Sequence, residues 1–242
     1  MKIKAIILGA GMGTRMGSPI PKVLNTICER PMINILLDSV QESGIDDVTV
    51  VIGPDMDNVQ QAVQPYPTVI QHERLGTAHA VLAAEKHIMP FDGCVLILFG
   101  DQPLFTAPTL QKMCDKCLSG SDVVVLGFIP ADARRYGRLV MGEDGLDAIV
   151  EYKDATDAQR AIKLCNSGVM CVNGQHLLSL LKKIGNENAA HEYYLTDIVA
   201  LAKENGLRRD VVIGDSDELH GVNTPEELEL AEAIYKKRMN IC

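Results

Sequence analysis

The chain has 242 residues, 47% of them hydrophobic, with a formal net charge of -9, enough apolar content to bury a sizeable core and to exclude wholesale disorder. The acidic balance, with no dense basic patch, excludes non-specific nucleic-acid binding, and no stretch approaches the roughly 20 apolar residues of a membrane-spanning helix. The N-terminus runs straight into a strand pattern with no signal peptide, and the seven cysteines (Cys28, Cys94, Cys114, Cys117, Cys165, Cys171, Cys242) lack the spacing of a disulfide framework, so a soluble, cytoplasmic protein with reduced thiols is expected.

Apolar runs of strand length alternate with helix-length stretches in the first part of the chain. Strands are expected at 3–8, 48–52, 68–71 and 94–99, with helices at 33–42, 56–63 and 77–88. Such alternation implies right-handed βαβ crossovers and a parallel sheet. Beyond Pro103 the pattern loosens into mixed α/β: a helix near 110–118, a strand near 122–128, extended pieces at 138–141 and 148–152, a strand at 164–172, and helices at 175–184 and 194–205. The last helix, about 224–239, begins Thr224-Pro225-Glu226-Glu227, the residue order of a capping box. Without repeats or a linker, 1–242 is expected to form one domain, a Rossmann-like α/β fold with a mostly parallel mixed sheet flanked by helices.

The strongest local signal is Leu8-Gly9-Ala10-Gly11-Met12-Gly13-Thr14-Arg15-Met16, a glycine-rich turn directly after the first strand. Glycines let backbone amides approach and cradle phosphate oxygens. The dinucleotide fingerprint G-x-G-x-x-G fails from either start, because Thr14 and Met16 stand where its last glycine belongs, and the second strand runs into Gly53-Pro54 rather than an acidic residue. A Walker A loop fails too, since Lys22 lies past the glycines and precedes Val23. Arg15 and Lys22 instead flank the loop as two cations, the groups that neutralise charge in phosphoryl or nucleotidyl transfer.

A second signal is the apolar run Val95-Leu96-Ile97-Leu98-Phe99 ending in Gly100-Asp101-Gln102-Pro103. It reads as a doubly covered central strand that delivers Asp101 to the carboxyl edge of the sheet, where ligands bind in open α/β folds. A lone carboxylate beside phosphates suits Mg²⁺.

The loop, Pro21-Lys22, Gln71 with Leu75-Gly76-Thr77, and Gly100-Asp101 together resemble the uridylyltransferase domain of the bacterial N-acetylglucosamine-1-phosphate uridylyltransferases, within the sugar nucleotidyltransferase family. The resemblance continues through Tyr136-Gly137-Arg138, Val150 to Ala155, Asn166-Ser167-Gly168, Glu192 to Asp197 and Gly221-Val222-Asn223, and so covers essentially the whole chain. It implies the nucleotide-diphospho-sugar transferase type of fold with a smaller sugar-binding lobe. It also implies formation of UDP-N-acetylglucosamine and pyrophosphate from UTP and N-acetylglucosamine 1-phosphate. Catalytic roles fall to Arg15, Lys22 and Asp101. Nucleotide contacts fall to Leu8, Gly9, Ala10, Gly11, Gly13, Lys22, Gln71, Gly76, Thr77, Phe99, Gly100 and Asp101, and sugar contacts to Gly137, Glu151, Asn166, Tyr194 and Thr196. Asp101 and Asn223 would share Mg²⁺.

Against the family pattern, Gly9 replaces a commoner Ala, Met12 sits where a basic residue is frequent, Gln102 follows the Asp, and Ser167 stands where Thr is usual. Bifunctional family members continue into a hexapeptide-repeat β-helix; the sequence stops at Cys242 without such repeats, so no acetyltransfer is expected. Two other readings stay open: a sugar nucleotidyltransferase of different nucleotide or sugar preference, and a non-catalytic nucleotide-binding protein. The six scattered histidines form no metal pattern, and Lys236-Lys237-Arg238 reads as a solvated helix end. Cys114-Asp115-Lys116-Cys117 has C-x-x-C spacing without a second pair, so it is expected to be plain helix.

Overall fold

A computed structural model describes residues 2–133 and 136–241. In chain order it contains β1 (Lys2–Leu8), β2 (Thr26–Ile27), β3 (Arg30–Pro31), α1 (Met32–Glu42), β4 (Asp47–Ile52), α2 (Asp57–Ala62), β5 (Thr68–Ile70), α3 (Thr77–Ala83), β6 (Gly93–Phe99), α4 (Ala107–Leu118), β7 (Val123–Phe128), β8 (Arg138–Gly142) and β9 (Gly145–Val150). There follow α5 (Asp157–Arg160), β10 (Cys165–Asn173), α6 (Leu177–Leu181), α7 (Ile198–Glu204), β11 (Arg209–Ile213) and α8 (Pro225–Met239). The main sheet runs β11-β7-β10-β6-β1-β4-β5, and the β8–β9 hairpin joins the edge of β10. β5, β4, β1 and β6 are mutually parallel, as the alternation predicts, while β10 is antiparallel to both neighbours.

Apolar residues sit on both sides of the central strands because both faces are covered. Ile7, Val50, Leu96 and Leu98 pack with Leu36, Val40, Leu110 and Met113 of α1 and α4. The alternate residues Ile6, Val51, Val95 and Ile97 pack with Val81, Leu177, Leu181 and Ile198 on the other side. Each such side chain, taken fully out of water, contributes about 1.5–3 kcal/mol before chain entropy is counted. A smaller cluster of Met16, Ile27, Met32, Leu104, Val222 and Ala231 seats α8 beside the carboxyl edge of the sheet.

Several elements differ from expectation. The predicted helix 77–88 is α3 followed by a separate 3-10 turn at Glu85–His87, because Ala84 closes the α-helix and charged residues follow. The helix expected at 194–205 begins with a 3-10 turn, Leu195–Asp197, and the one at 175–184 contracts to α6. At α8, Thr224 does cap the Glu227 amide at 3.3 Å, but the Glu227 carboxylate accepts from the Asn223 amide at 2.7 Å instead of closing the box on Thr224. No helix among the described residues is long and apolar enough to cross a membrane.

Candidate active site

The chain leaves β1 through α1 to β4 and β5 on one side, then returns to β6 on the other side of β1, so the strand order reverses between β1 and β6. Crevices at such a reversal are where open α/β sheets bind ligands. Leu8 pairs with Phe99, so the glycine loop after β1 and the Gly100-Asp101 turn after β6 leave the sheet side by side. The Gly100 amide donates to the Leu8 carbonyl at 2.9 Å, extending the ladder one step beyond the strands.

Lys22 stands at the centre of this edge. Its ammonium pairs with the Asp101 carboxylate and donates to Asn223 Oδ1 at 3.0 Å. Arg15 donates to the same Asn223 oxygen at 2.9 Å. Asp101 and Asn223, far apart in sequence, are held together by backbone, since the Val222 amide donates to the Asp101 carbonyl at 2.8 Å. Two cations and two hard oxygen ligands thus form one knot.

Two cavities of about 260 Å³ each meet at that knot and share Phe99 and Asp101. The first is lined by the predicted nucleotide residues Leu8, Ala10, Gly11, Lys22, Gln71, Gly76 and Thr77. The second opens between Arg15, Gln102, Tyr136, Ser167, Gly168 and Asn223. Gly9, Gly13 and Gly100 support the cradle rather than line it. A side chain on Gly9 would meet the Val51 carbonyl oxygen at 3.3 Å, and one on Gly100 would press on Val23 at 2.9 Å. Gly13 has φ +64 and lies so close to Lys22 that an added Cβ would sit 2.5 Å from the Lys22 Cβ.

At the far wall of the first cavity Gln71 is 4% exposed, and its amide nitrogen lies 3.2 Å from both the Gly76 carbonyl oxygen and His79 Nδ1. With the nitrogen engaged, Oε1 is the atom left to offer a ligand. Gly76, at φ +121, carries the chain so close to Tyr193 that a Cβ would come within 2.6 Å of its carbonyl. The Thr77 hydroxyl accepts from the Leu195 amide at 2.9 Å, so it ties the wall to the segment after Tyr193.

The five predicted sugar residues gather beside the second cavity without appearing in its lining. Asn166 accepts the Gly168 amide at 2.9 Å, and its own amide donates to the Gly137 carbonyl, fixing the bulge in β10 that presents Ser167 and Gly168. Glu151 lies against Gly137, at 3.3 Å from where its Cβ would stand. The Thr196 hydroxyl is buried beside the Glu151 carboxyl. Burial, then the charges of Asp154 and Asp197, hold the Glu151 carboxyl above its ordinary range. The Tyr194 phenol is likewise raised, first by burial and then by the same acidic neighbours.

A family model described as the MobA-like NTP transferase domain matches residues 5–180, which carries the glycine loop, Lys22, Gln71 and Asp101. The chain belongs to this family. It is also similar to proteins named bifunctional protein GlmU: 52% identical over 240 residues to that of Paramagnetospirillum magneticum and 54% over 240 residues to that of Rhodospirillum rubrum, covering 98% of this chain and 54% of each relative. A third, from Brucella anthropi, is 45% identical over 238 residues, 97% of this chain and 52% of the relative. The chain spans about half the length of the curated relatives it matches.

In this NTP transferase domain two site residues escaped sequence reasoning. Arg74 reaches from the segment after β5 to the glycine loop, where Nε donates to the Ala10 carbonyl at 2.9 Å and Nη2 lies 3.1 Å from Met12 Sδ. It lines the first cavity and brings a guanidinium to the position where the loop itself carries Met12. A lone Arg between Glu73 and Leu75 gives no signal of this, because the contact spans 64 positions. Arg74→Ala is expected to weaken nucleotide affinity about ten- to a hundredfold, the worth of one charge-assisted hydrogen bond, with little change in turnover; titration calorimetry and kcat/KM would check it. Gln102 is the second: its nitrogen donates to the Ser167 carbonyl at 2.7 Å, while its buried Oε1, on the wall of the second cavity, has no partner.

The Glu151 shift carries a stability consequence. A carboxyl whose folded pKa is raised binds its proton more tightly in the folded state, so stability falls as pH climbs from the ordinary value of 4.5 through the raised one. Glu151→Gln is therefore expected to raise the melting temperature by a few degrees at neutral pH. The gain should vanish below about pH 4.5, where both states carry the proton. Thermal melts of both proteins across that range test it.

Proposed function

We propose that the chain is a sugar-1-phosphate nucleotidyltransferase that joins UTP to N-acetylglucosamine 1-phosphate and releases pyrophosphate. The observation that carries this reading is the meeting of two cavities at Asp101, with Lys22, Arg15 and Asn223 around the junction. With one substrate assigned to each cavity, the sugar phosphate oxygen would approach the α-phosphorus in line while the bond to the β-phosphate breaks and pyrophosphate departs. Such a direct displacement needs no protein nucleophile.

Lys22 and Arg15 hold the triphosphate and the departing pyrophosphate. The glycine-loop amides cradle phosphate oxygens, and Gln71 Oε1 accepts the N3–H of uracil, a proton that cytosine lacks. Glu151, Asn166 and Thr196 supply the paired polar contacts that a hexose requires, and the unpartnered Gln102 Oε1 is of the kind that a ligand satisfies.

Asp101 and Asn223 offer one carboxylate and one amide oxygen that already converge on a single cation, the Lys22 ammonium. That donor set fits Mg²⁺, which when bound offsets the repulsion between the two phosphate groups. Lys22 would then turn its charge from Asp101 to the phosphates.

The test is pyrophosphate release from UTP, dTTP, CTP and GTP, each paired with N-acetylglucosamine 1-phosphate or glucose 1-phosphate, with and without Mg²⁺. Metal-dependent release with UTP and the acetamido sugar is expected. Release with another pair moves the specificity and keeps the reaction, and binding without release from any pair ends the catalytic reading.

A further inference from the structure

Four of the six cysteines among the described residues meet at one place that the substrate cavities do not use. Cys94 is the second residue of β6, Cys171 lies on β10, and Cys114 and Cys117 lie on α4; all are between 0% and 5% exposed. In the antiparallel pairing of β6 with β10, Cys94 stands opposite Asn173 and Cys171 opposite Leu96. The two thiols are therefore diagonal neighbours on one face of the sheet. That face is the one α4 covers, and Cys114 and Cys117, three residues apart, share the buried side of the helix. The Sγ atoms of Cys94, Cys117 and Cys171 all lie within 4.8 Å of one another, and Cys114, one helical turn before Cys117 on the same buried face, stands next to this trio without belonging to it at that distance.

A single buried cysteine is ordinary, because the side chain packs as a small hydrophobe. The convergence of four from three separate elements calls for another cause. Thiolates around a tetrahedral zinc ion, at about 2.3 Å from the metal, stand roughly 3.8 Å apart. Three of these sulfurs are already within about 1 Å of that spacing. The C-x-x-C segment has no second pair in sequence, but the strand pairing supplies the two missing thiols.

We propose that Cys94, Cys114, Cys117 and Cys171 form a buried, closed tetrathiolate site for zinc that clamps α4 onto β6 and β10. Loading exchanges protons for metal: Zn²⁺ enters, the four S–H protons leave to solvent, and no electron moves. Soft thiolates exclude Mg²⁺, so the site does not compete for the metal expected at Asp101. Cys94 and Asp101 lie near opposite ends of β6, roughly 20 Å apart along the strand, so the ion is structural. It acts by joining helix to sheet.

The test is the metal content of the full chain, purified without a histidine tag, under reducing conditions, from cells grown with added zinc. One zinc per chain is expected to survive dialysis and to be lost from Cys94→Ser/Cys171→Ser. In case that variant does not fold, the unaltered chain is stripped of metal in denaturant and refolded with Co²⁺. Thiolate-to-cobalt charge transfer with tetrahedral d–d bands, saturating at one equivalent, is then expected. Far less than one zinc together with no such bands, a disulfide within the cluster, or zinc retained in full by the folded double variant would overturn the proposal.

Discussion

Asp101→Ala is expected to lower turnover by about a hundredfold or more, the cost typical of removing one preorganised charge contact from a reacting centre, about 2.7–4 kcal/mol. The carboxylate is held for this role from both sides of the sequence: the Gly100 amide anchors the turn to Leu8, and the Val222 amide binds the Asp101 carbonyl. No other carboxylate lines both cavities among the described residues. Asp101→Asn separates metal binding from folding, since it keeps the shape and removes the charge. In the absence of Mg²⁺ this variant should bind the triphosphate at least as tightly as the parent, because a negative charge beside phosphates has been removed. With Mg²⁺ its turnover should still fall. Near-normal metal-dependent turnover of Asp101→Asn would show that the reaction does not depend on this carboxylate.

The parts of the site that were legible in sequence are those built from one short stretch each. The glycine loop follows β1 because Ile6, Ile7 and Leu8 are too apolar to stop before a turn that only small residues permit, and Asp101 follows β6 for the same reason. What joins the stretches was not legible. The Lys22–Asp101–Asn223 knot depends on the order of the strands and on one backbone bond from Val222, and the Arg74 contact depends on where the segment after β5 turns back. β11 was missed because it begins Arg209-Asp210, charges that read as loop. In the fold Arg209 is buried, donating to the Leu146 carbonyl at 2.9 Å and facing Asp147 at 3.7 Å, so tertiary partners offset what the pattern counts as a cost. The β2–β3 ribbon is two residues per strand, below the length at which alternation carries information. Thr77 illustrates a different limit. Its type suits ligand recognition and it lines the first cavity, while its hydroxyl also accepts from the Leu195 amide, a contact that only the fold reveals.

Lys22→Ala is expected to reduce kcat/KM by about a hundred- to a thousandfold, comparable to losing Asp101, because the same ammonium answers two demands. In the structure it neutralises Asp101 and engages Asn223; in the proposed reaction it would meet the charge that grows on the leaving pyrophosphate. A merely structural lysine would show itself differently. Its loss would lower the melting temperature, by leaving Asp101 without its partner, and would leave the affinity for pyrophosphate unchanged. A leaving-group lysine instead makes pyrophosphate a much weaker inhibitor, in step with the fall in rate. Lys22→Arg should not restore the parent rate, since a planar fork does not replace a compact charge. Measuring pyrophosphate inhibition beside thermal stability for both variants separates the two roles, because the charge and the scaffold respond in different observables.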